Sequence, residues 1–320
     1  MVTLGYALSS EEFAPRRLVD IAAMSEQAGL TKLWISDHFH PWNDEQGESA
    51  FVWSVIGGIA YATSALEVYT AVTCPTVRLH PAIVAQAAAT SAALLQGRFG
   101  LGLGSGEALN EHIFGDAWPS ADVRLEMLEE AIEVIQRLWT GEVVSHDGPH
   151  YTVDHARLYT LPTQPPGIWV SGFGPKATEL AARTATGGYV NTSPDAELLE
   201  LYRSKGGTGT SQASAKVCWA EDADAALDTV HRLWPNAGLP GELAQVLPTP
   251  EHIMQATSLV TRDHLAKTPH GPDVEPYVKK IQEYADAGFD ELYLQQVGCD
   301  QEGFFRFLER EIMPALKGWS

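Results

Sequence analysis

The chain has 320 residues, with 41 acidic against 21 basic side chains and a formal net charge of −20. A field of that sign argues against nucleic acid and anionic membrane surfaces as partners, since both are polyanions. A hydrophobic fraction of 45% and an aromatic fraction of 9% fit an ordinary folded chain rather than a disordered one. Cys74, Cys218 and Cys299 lie far apart in no zinc or CxxC spacing, and the N-terminus enters a strand pattern without signal-peptide features. Both point to a reduced, cytoplasmic setting. The uncharged stretches Ser49–Leu66 and Pro81–Gly97 are rich in small residues and suit buried helices better than membrane spans.

Apolar strand-like runs alternate with helical patterns from end to end. Val2–Leu8 precedes a helix over Pro15–Gln27, stopped at Ala28-Gly29; Lys32–Ser36 precedes a buried helix over Ala50–Thr63. Glu67–Thr73 leads to an Ala-rich helix over Ala82–Leu95. Phe99–Leu103 leads through a Gly-rich turn to an amphipathic helix over Val123–Thr140, with Leu125, Leu128, Ile132, Ile135 and Leu138 on one face. Residues 142–161, with Asp147-Gly148-Pro149 between alternating positions, predict a β-hairpin excursion. The strand Gly167–Ser171 precedes the helix Lys176–Thr184, and Gly188–Thr192 precedes Asp195–Ser204. Residues 206–214 carry no pattern and are expected to form a flexible insertion before a strand at Lys216–Ala220. The helices Asp224–Leu233 and Val274–Ala287, the strand Glu291–Gln295 and a closing helix Gln301–Leu316 complete the chain. Eight short apolar strands, most followed by a helix, predict one α/β domain over residues 1–320, a TIM (β/α)₈ barrel with insertions. A doubly wound open sheet is the competing architecture.

Barrel enzymes carry their chemistry on the loops that follow strands, and the unusual residues of this chain fall there. Glu11 follows the first strand, and Asp37, His38, His40 and Trp42 follow the second. Cys74 follows the third, Gly106, Glu107 and Asn110 the fourth, and Thr192 the sixth. Each alone could be a cap, a brace or part of the core; their placement around one rim points to an enzyme. Gly102-x-Gly104-x-Gly106 has the wrong spacing for a dinucleotide fingerprint. Gly172-Phe173-Gly174-Pro175-Lys176 before a helix offers backbone N–H groups and a cation to a phosphate. His38-x-His40 also admits a metal site, although no third ligand cluster follows.

The stretches Ser36–Trp42, Pro75–Arg78, Pro81–Gln86 and Gly104–Glu111 resemble the luciferase-like superfamily of flavin and deazaflavin barrels. More narrowly, the chain is similar to the deazaflavin-dependent glucose-6-phosphate dehydrogenase group, chiefly over residues 1–195. The resemblance implies coenzyme F420, an 8-hydroxy-5-deazaflavin with a phosphate-containing, polyglutamylated tail, and a homodimer. It implies a ring site lined by Asp37, Ala71, Val72, Cys74, Gly106, Glu107, Asn110, Gly172, Phe173, Gly174, Pro175 and Lys176, with a cis Ala71–Val72 peptide. It further implies His38 as general base for an alcohol, with Trp42 and Glu107 beside it, and Glu11, Thr192 and Asp195 on the substrate side. Asp195 stands where the sugar-phosphate enzymes have a lysine, so the expected substrate is an unphosphorylated sugar, polyol or cyclitol rather than glucose 6-phosphate. An F420-dependent glucose-6-phosphate dehydrogenase, a flavin-dependent monooxygenase, a non-enzymatic flavin-binding barrel and a metal hydrolase are the alternatives.

Overall fold

The structure, a computed structural model, describes residues 2–317. Thr3–Leu8 (β1), Lys32–Ile35 (β2), Glu67–Thr70 (β3) and Phe99–Leu103 (β4) are followed by Val144–Asp147 (β5) and Thr152–Ala156 (β6). Ile168–Ser171 (β7), Gly188–Asn191 (β8), Thr210–Val217 (β9) and Glu291–Gln296 (β10) complete the strands. Eight of them close in the order β1-β10-β9-β8-β7-β4-β3-β2, every neighbouring pair parallel. The pairing of β10 with β1, Thr3 opposite Glu291, is what separates this closed barrel from the open sheet. β5 and β6 form the antiparallel hairpin expected over residues 142–161.

Helices α1 (Pro15–Gln27), α2 (Val52–Ala62), α3 (Pro81–Leu94), α4 (Ala108–Glu111) and α5 (Ala121–Leu138) alternate with the first strands. They are followed by α6 (Pro175–Thr184), α7 (Ala196–Ser204) and α8 (Ala223–Leu233). The longest, α5, shows how the sequence sets them. Ser120 accepts the Val123 N–H as its cap, and Leu128, Ile132, Ile135 and Leu138 bury one face. Each such side chain contributes about 1.5–3 kcal/mol on burial.

The barrel interior is filled rather than hollow. The Trp34 ring stacks on Tyr293 at 4.4 Å, and Tyr69 meets Trp169 edge-on at 4.8 Å. Gly100 makes room for that pair, since a Cβ there would lie 2.3 Å from Tyr69 Cδ1. At the N-terminal end, Lys32 bridges Glu67 at 2.9 Å and Glu291 at 3.0 Å. Space opens at the C-terminal end of the barrel, where Ala7, Val190 and Ser214 are small.

Two expectations need correction. The seventh barrel strand is Thr210–Val217, six residues before the predicted Lys216–Ala220, and most of the supposed flexible insertion at 206–214 is paired strand. Its polar residues hid it: Ser211 donates to Asp290 at 2.7 Å, and Gln212 joins Trp34, Glu291 and Tyr293. Polar side chains with partners can be buried, and an apolar pattern does not find them. Residues 235–272, left without structure by the sequence, fold into short helices α9 (Leu243–Val246), α10 (Pro250–Thr257) and α11 (Arg262–Leu265). These pack Ile253, Val260 and Leu265 into a small core with Trp42 and Leu109 over the barrel mouth. α12 (Glu275–Asp286) and α13 (Gln301–Phe307) then flank β10.

Candidate active site

A cavity of about 980 Å³ opens at the C-terminal end of the barrel, floored by Ala7, Trp34, Val190 and Ser214. It is at the upper end of volumes that hold small ligands. Its wall brings together Glu11, Asp37, His38, Trp42, Ala71, Val72, Cys74, Gly106, Glu107 and Asn110, and also Phe173, Gly174, Pro175, Lys176 and Thr192. Ala71 and Val72 are joined by a cis peptide. Gly104 keeps this part of the wall thin: a Cβ there would lie 2.6 Å from Val72 Cγ2 and 2.9 Å from Ser171 Oγ.

His38 is held at the centre of a charged group. Its Nδ1 lies 3.3 Å from the His40 carbonyl, which can only accept, so the neutral ring carries its proton there. Nε2 then faces Glu11 Oε1 and Glu107 Oε2, each 3.5 Å away. Glu11 is fixed by two hydroxyls, since Ser9 and Ser36 both donate to its Oε2 at 2.8 Å. Glu107 takes the Asn110 amide at 3.3 Å. Burial pushes the Glu107 carboxyl above its usual range; His38 and Lys216 pull it back, and Glu11 adds to the rise. The Trp42 ring, nearly buried, sits 5.2 Å from the His38 ring.

Other predicted residues serve mainly as braces. Asp37 is engaged on both oxygens, by Arg78 at 2.9 Å and by Thr73 at 2.7 Å. Asn110 Oδ1 accepts the backbone N–H groups of Phe39 and His40, which fastens the loop after β2 to α4. His40 turns to the Leu109 carbonyl at 2.9 Å and stacks on His112. Among the described residues no group of three His, Cys, Asp or Glu side chains is arranged to hold a metal ion. Burial raises the Cys74 thiol well above its ordinary value, which leaves it a neutral wall group.

Two predicted residues do not reach the cavity. Gly172 is tied into the strands behind it, its N–H on the Val190 carbonyl and its own carbonyl accepting from Tyr189. Asp195 is the N-cap of α7, accepting the Leu198 N–H at 3.0 Å. Three residues after Thr192 the chain has already begun its helix, so position 195 is taken up with capping. Lys176 does line the cavity, but its ammonium lies 2.7 Å from Asp122 and is largely exposed.

Sequence reasoning missed three groups. Lys216 on β9 reaches the cavity and lies 4.2 Å over the Trp234 ring. Burial lowers its pKa, against the upward pull of Glu11, Glu12 and Glu107. Glu12 is buried beneath, accepting from the Trp234 indole at 2.6 Å and the Gly298 N–H at 2.8 Å. A lysine among the small residues of 211–217 was the available signal; Trp234 and Glu12 carried none.

The chain matches the luciferase-like monooxygenase family over residues 2–291. It is 34% identical over 326 residues to an F420-dependent glucose-6-phosphate dehydrogenase of Microbacterium testaceum, covering 98% of this chain and 97% of the relative. The enzyme of the same name from Amycolatopsis mediterranei is 33% identical over 334 residues, covering 99% of each chain. A solved structure of an F420-dependent secondary alcohol dehydrogenase, in complex with an F420-acetone adduct, superposes with a TM-score of 0.89 at 30% identity and covers 99% of both chains.

Proposed function

Because the chain belongs to the luciferase-like monooxygenase family, we propose that it is an F420-dependent oxidoreductase that oxidises an unphosphorylated alcohol. The observation that carries the reading is the cluster at the rim: His38 Nε2 between the carboxylates of Glu11 and Glu107, inside one cavity.

The residues suit the cofactor. The wall between Gly104 and Val72 admits no added carbon. Behind the wall at Gly106, Thr76 Oγ1 is buried without a hydrogen-bond partner. Val72, Cys74, Phe173 and Gly174 would hold the deazaflavin, which accepts a hydride at C5 when bound.

For the alcohol, His38 takes the hydroxyl proton at Nε2, the nitrogen left unprotonated by its contact with the His40 carbonyl. The positive charge that arrives with the proton is met by Glu11 and Glu107. Trp42 covers the reacting end and excludes water. Glu107, whose proton affinity burial raises, serves as the proton store beside the ring.

The same end of the cavity argues against a sugar phosphate. Lys216 is its single cation among the described residues, and it answers three carboxylates, Glu11, Glu12 and Glu107. A dianionic phosphate would enter a net negative environment. Asp195 is occupied as a helix cap and does not line the cavity, so the reading does not rest on it. A sugar, polyol or cyclitol fits this polar lining. A simple secondary alcohol is the second reading, favoured by the apolar faces of Trp42 and Trp234.

The test is a screen by loss of deazaflavin absorbance, with F420 in excess and polyols, cyclitols, secondary alcohols and glucose 6-phosphate as donors. Turnover with a neutral alcohol and none with glucose 6-phosphate is expected. Saturation by micromolar glucose 6-phosphate would overturn the substrate assignment.

A further inference from the structure

The ammonium of Lys216 lines the cavity with no acceptor of its own. Side chains alternate along β9: Ala213, Ala215 and Val217 belong to the main hydrophobic core, whereas Gln212, Ser214 and Lys216 climb the barrel interior. Gln212 is engaged in the filled layer by Trp34, Glu291 and Tyr293. Ser214 lies at the cavity floor, and Lys216, one step higher, forms part of its wall. Gln295 on β10 stands in register with Lys216 and lines the same wall.

On one side the Lys216 ammonium has the Trp234 ring, 4.2 Å away. Among the described residues it makes no hydrogen bond and no close ion pair; Glu11, Glu12 and Glu107 act on it only through space. Those carboxylates are engaged elsewhere, Glu11 by Ser9 and Ser36, Glu12 by the Trp234 indole and the Gly298 N–H, and Glu107 by Asn110. An ammonium carries three N–H donors, and donors taken out of water without acceptors are costly. Oxygen atoms of a molecule in the cavity are what these donors can meet.

The surrounding charge decides which oxygens. Three carboxylates act on this one ammonium, so an anionic group brought to it meets net repulsion. A hydroxyl oxygen accepts from the ammonium and adds no charge. The indole faces of Trp42 and Trp234, on the same cavity, suit the C–H surface of a ring or chain that carries such hydroxyls. Around the barrel, β10 and β1 separate β9 from β2, the strand that leads to His38. A molecule that meets both Lys216 and His38 therefore does so through two different oxygens.

We propose that Lys216 selects alcohols with a second hydroxyl, its ammonium donating to that oxygen while His38 takes the proton of the reacting one. This rests on the alcohol-oxidising reading above and names its substrate class, a polyol in preference to a simple secondary alcohol. Lys216 is a specificity residue and takes no part in the proton transfer.

The experiment compares kcat/KM for cyclohexanol and for the three positional isomers of cyclohexanediol, by loss of deazaflavin absorbance at saturating F420. The wild type, K216M and K216R are measured side by side. The wild type is expected to prefer at least one diol to cyclohexanol, and K216M to lower that preference by about tenfold to a hundredfold. K216R, which keeps the charge and the donors, should retain part of it. Turnover of cyclohexanol by the same preparations shows that the variants are folded and loaded. A diol preference that survives intact in K216M, or a wild type without one, would overturn the proposal. A wild type that binds F420 yet oxidises none of these donors would remove the alcohol reading itself, and the proposal with it.

Discussion

Glu107 illustrates a residue placed for chemistry against stability. Its carboxyl is raised above the ordinary glutamate value of 4.5, first by burial. Below that value both the folded and the unfolded chain are protonated, and the group costs nothing. As pH rises, the unfolded chain ionises first, so the fold loses stability until the folded group has ionised as well. E107Q should therefore raise the melting temperature at pH 7 by about 1–2 °C, and the gain should vanish toward pH 4. Turnover should fall by about a hundredfold or more. Calorimetry across pH checks the first part, and a stability gain that persisted at pH 4 would contradict it. Several such residues could be read from the sequence because they sit directly after strands, as His38, Trp42 and Glu107 do. Lys216 was missed because the apolar pattern put it at the start of a strand, whereas it lies near the end of β9 and reaches the cavity from there.

Gly104, just past β4, governs the wall at the scale of an element. A methyl group there would meet Val72 and Ser171 at under 3 Å, where neither neighbour is the free end of a long side chain. G104A is expected to cost about 1–3 kcal/mol by overpacking and to weaken F420 binding more than a substitution on an outer helix. Denaturant unfolding and titration together test this; a variant with unchanged stability and affinity would show that the wall yields. Most elements were legible because a buried parallel strand reads as a short apolar run and an amphipathic helix as a period. The failures have physical causes. β9 pairs its polar residues inside the barrel, and α9 to α11 are too short to show a period. Asp195 was assigned by position to the substrate, whereas the turn preceding α7 had a stronger use for a carboxylate as its cap.

For the molecule as a whole, a net charge of −20 surrounds the cavity proposed to take an anionic cofactor. Long-range repulsion should slow its entry, and salt should relieve it. Stopped-flow association of F420 is therefore expected to accelerate between about 10 and 150 mM salt, the reverse of a basic binding protein. A rate that falls over this range would mean that local cations such as Lys176 and Lys216 dominate the approach. No helix among the described residues is long and apolar enough to cross a membrane. The division of labour in the barrel is clear at this scale: a filled aromatic interior fixes the strands, and the loops at one end hold the reactive groups.

The account depends most on His38 receiving a proton beside bound F420. H38N removes the basic nitrogen at Nε2 while leaving an amide near the Nδ1 position for the His40 carbonyl, so affinity and turnover can be measured on the same preparation. F420 should bind with an affinity within about threefold of wild type, flavin mononucleotide should bind more weakly to both, and alcohol oxidation should fall by about 10²–10⁴-fold. An H38N protein that binds F420 and retains full turnover would contradict the assignment of the base.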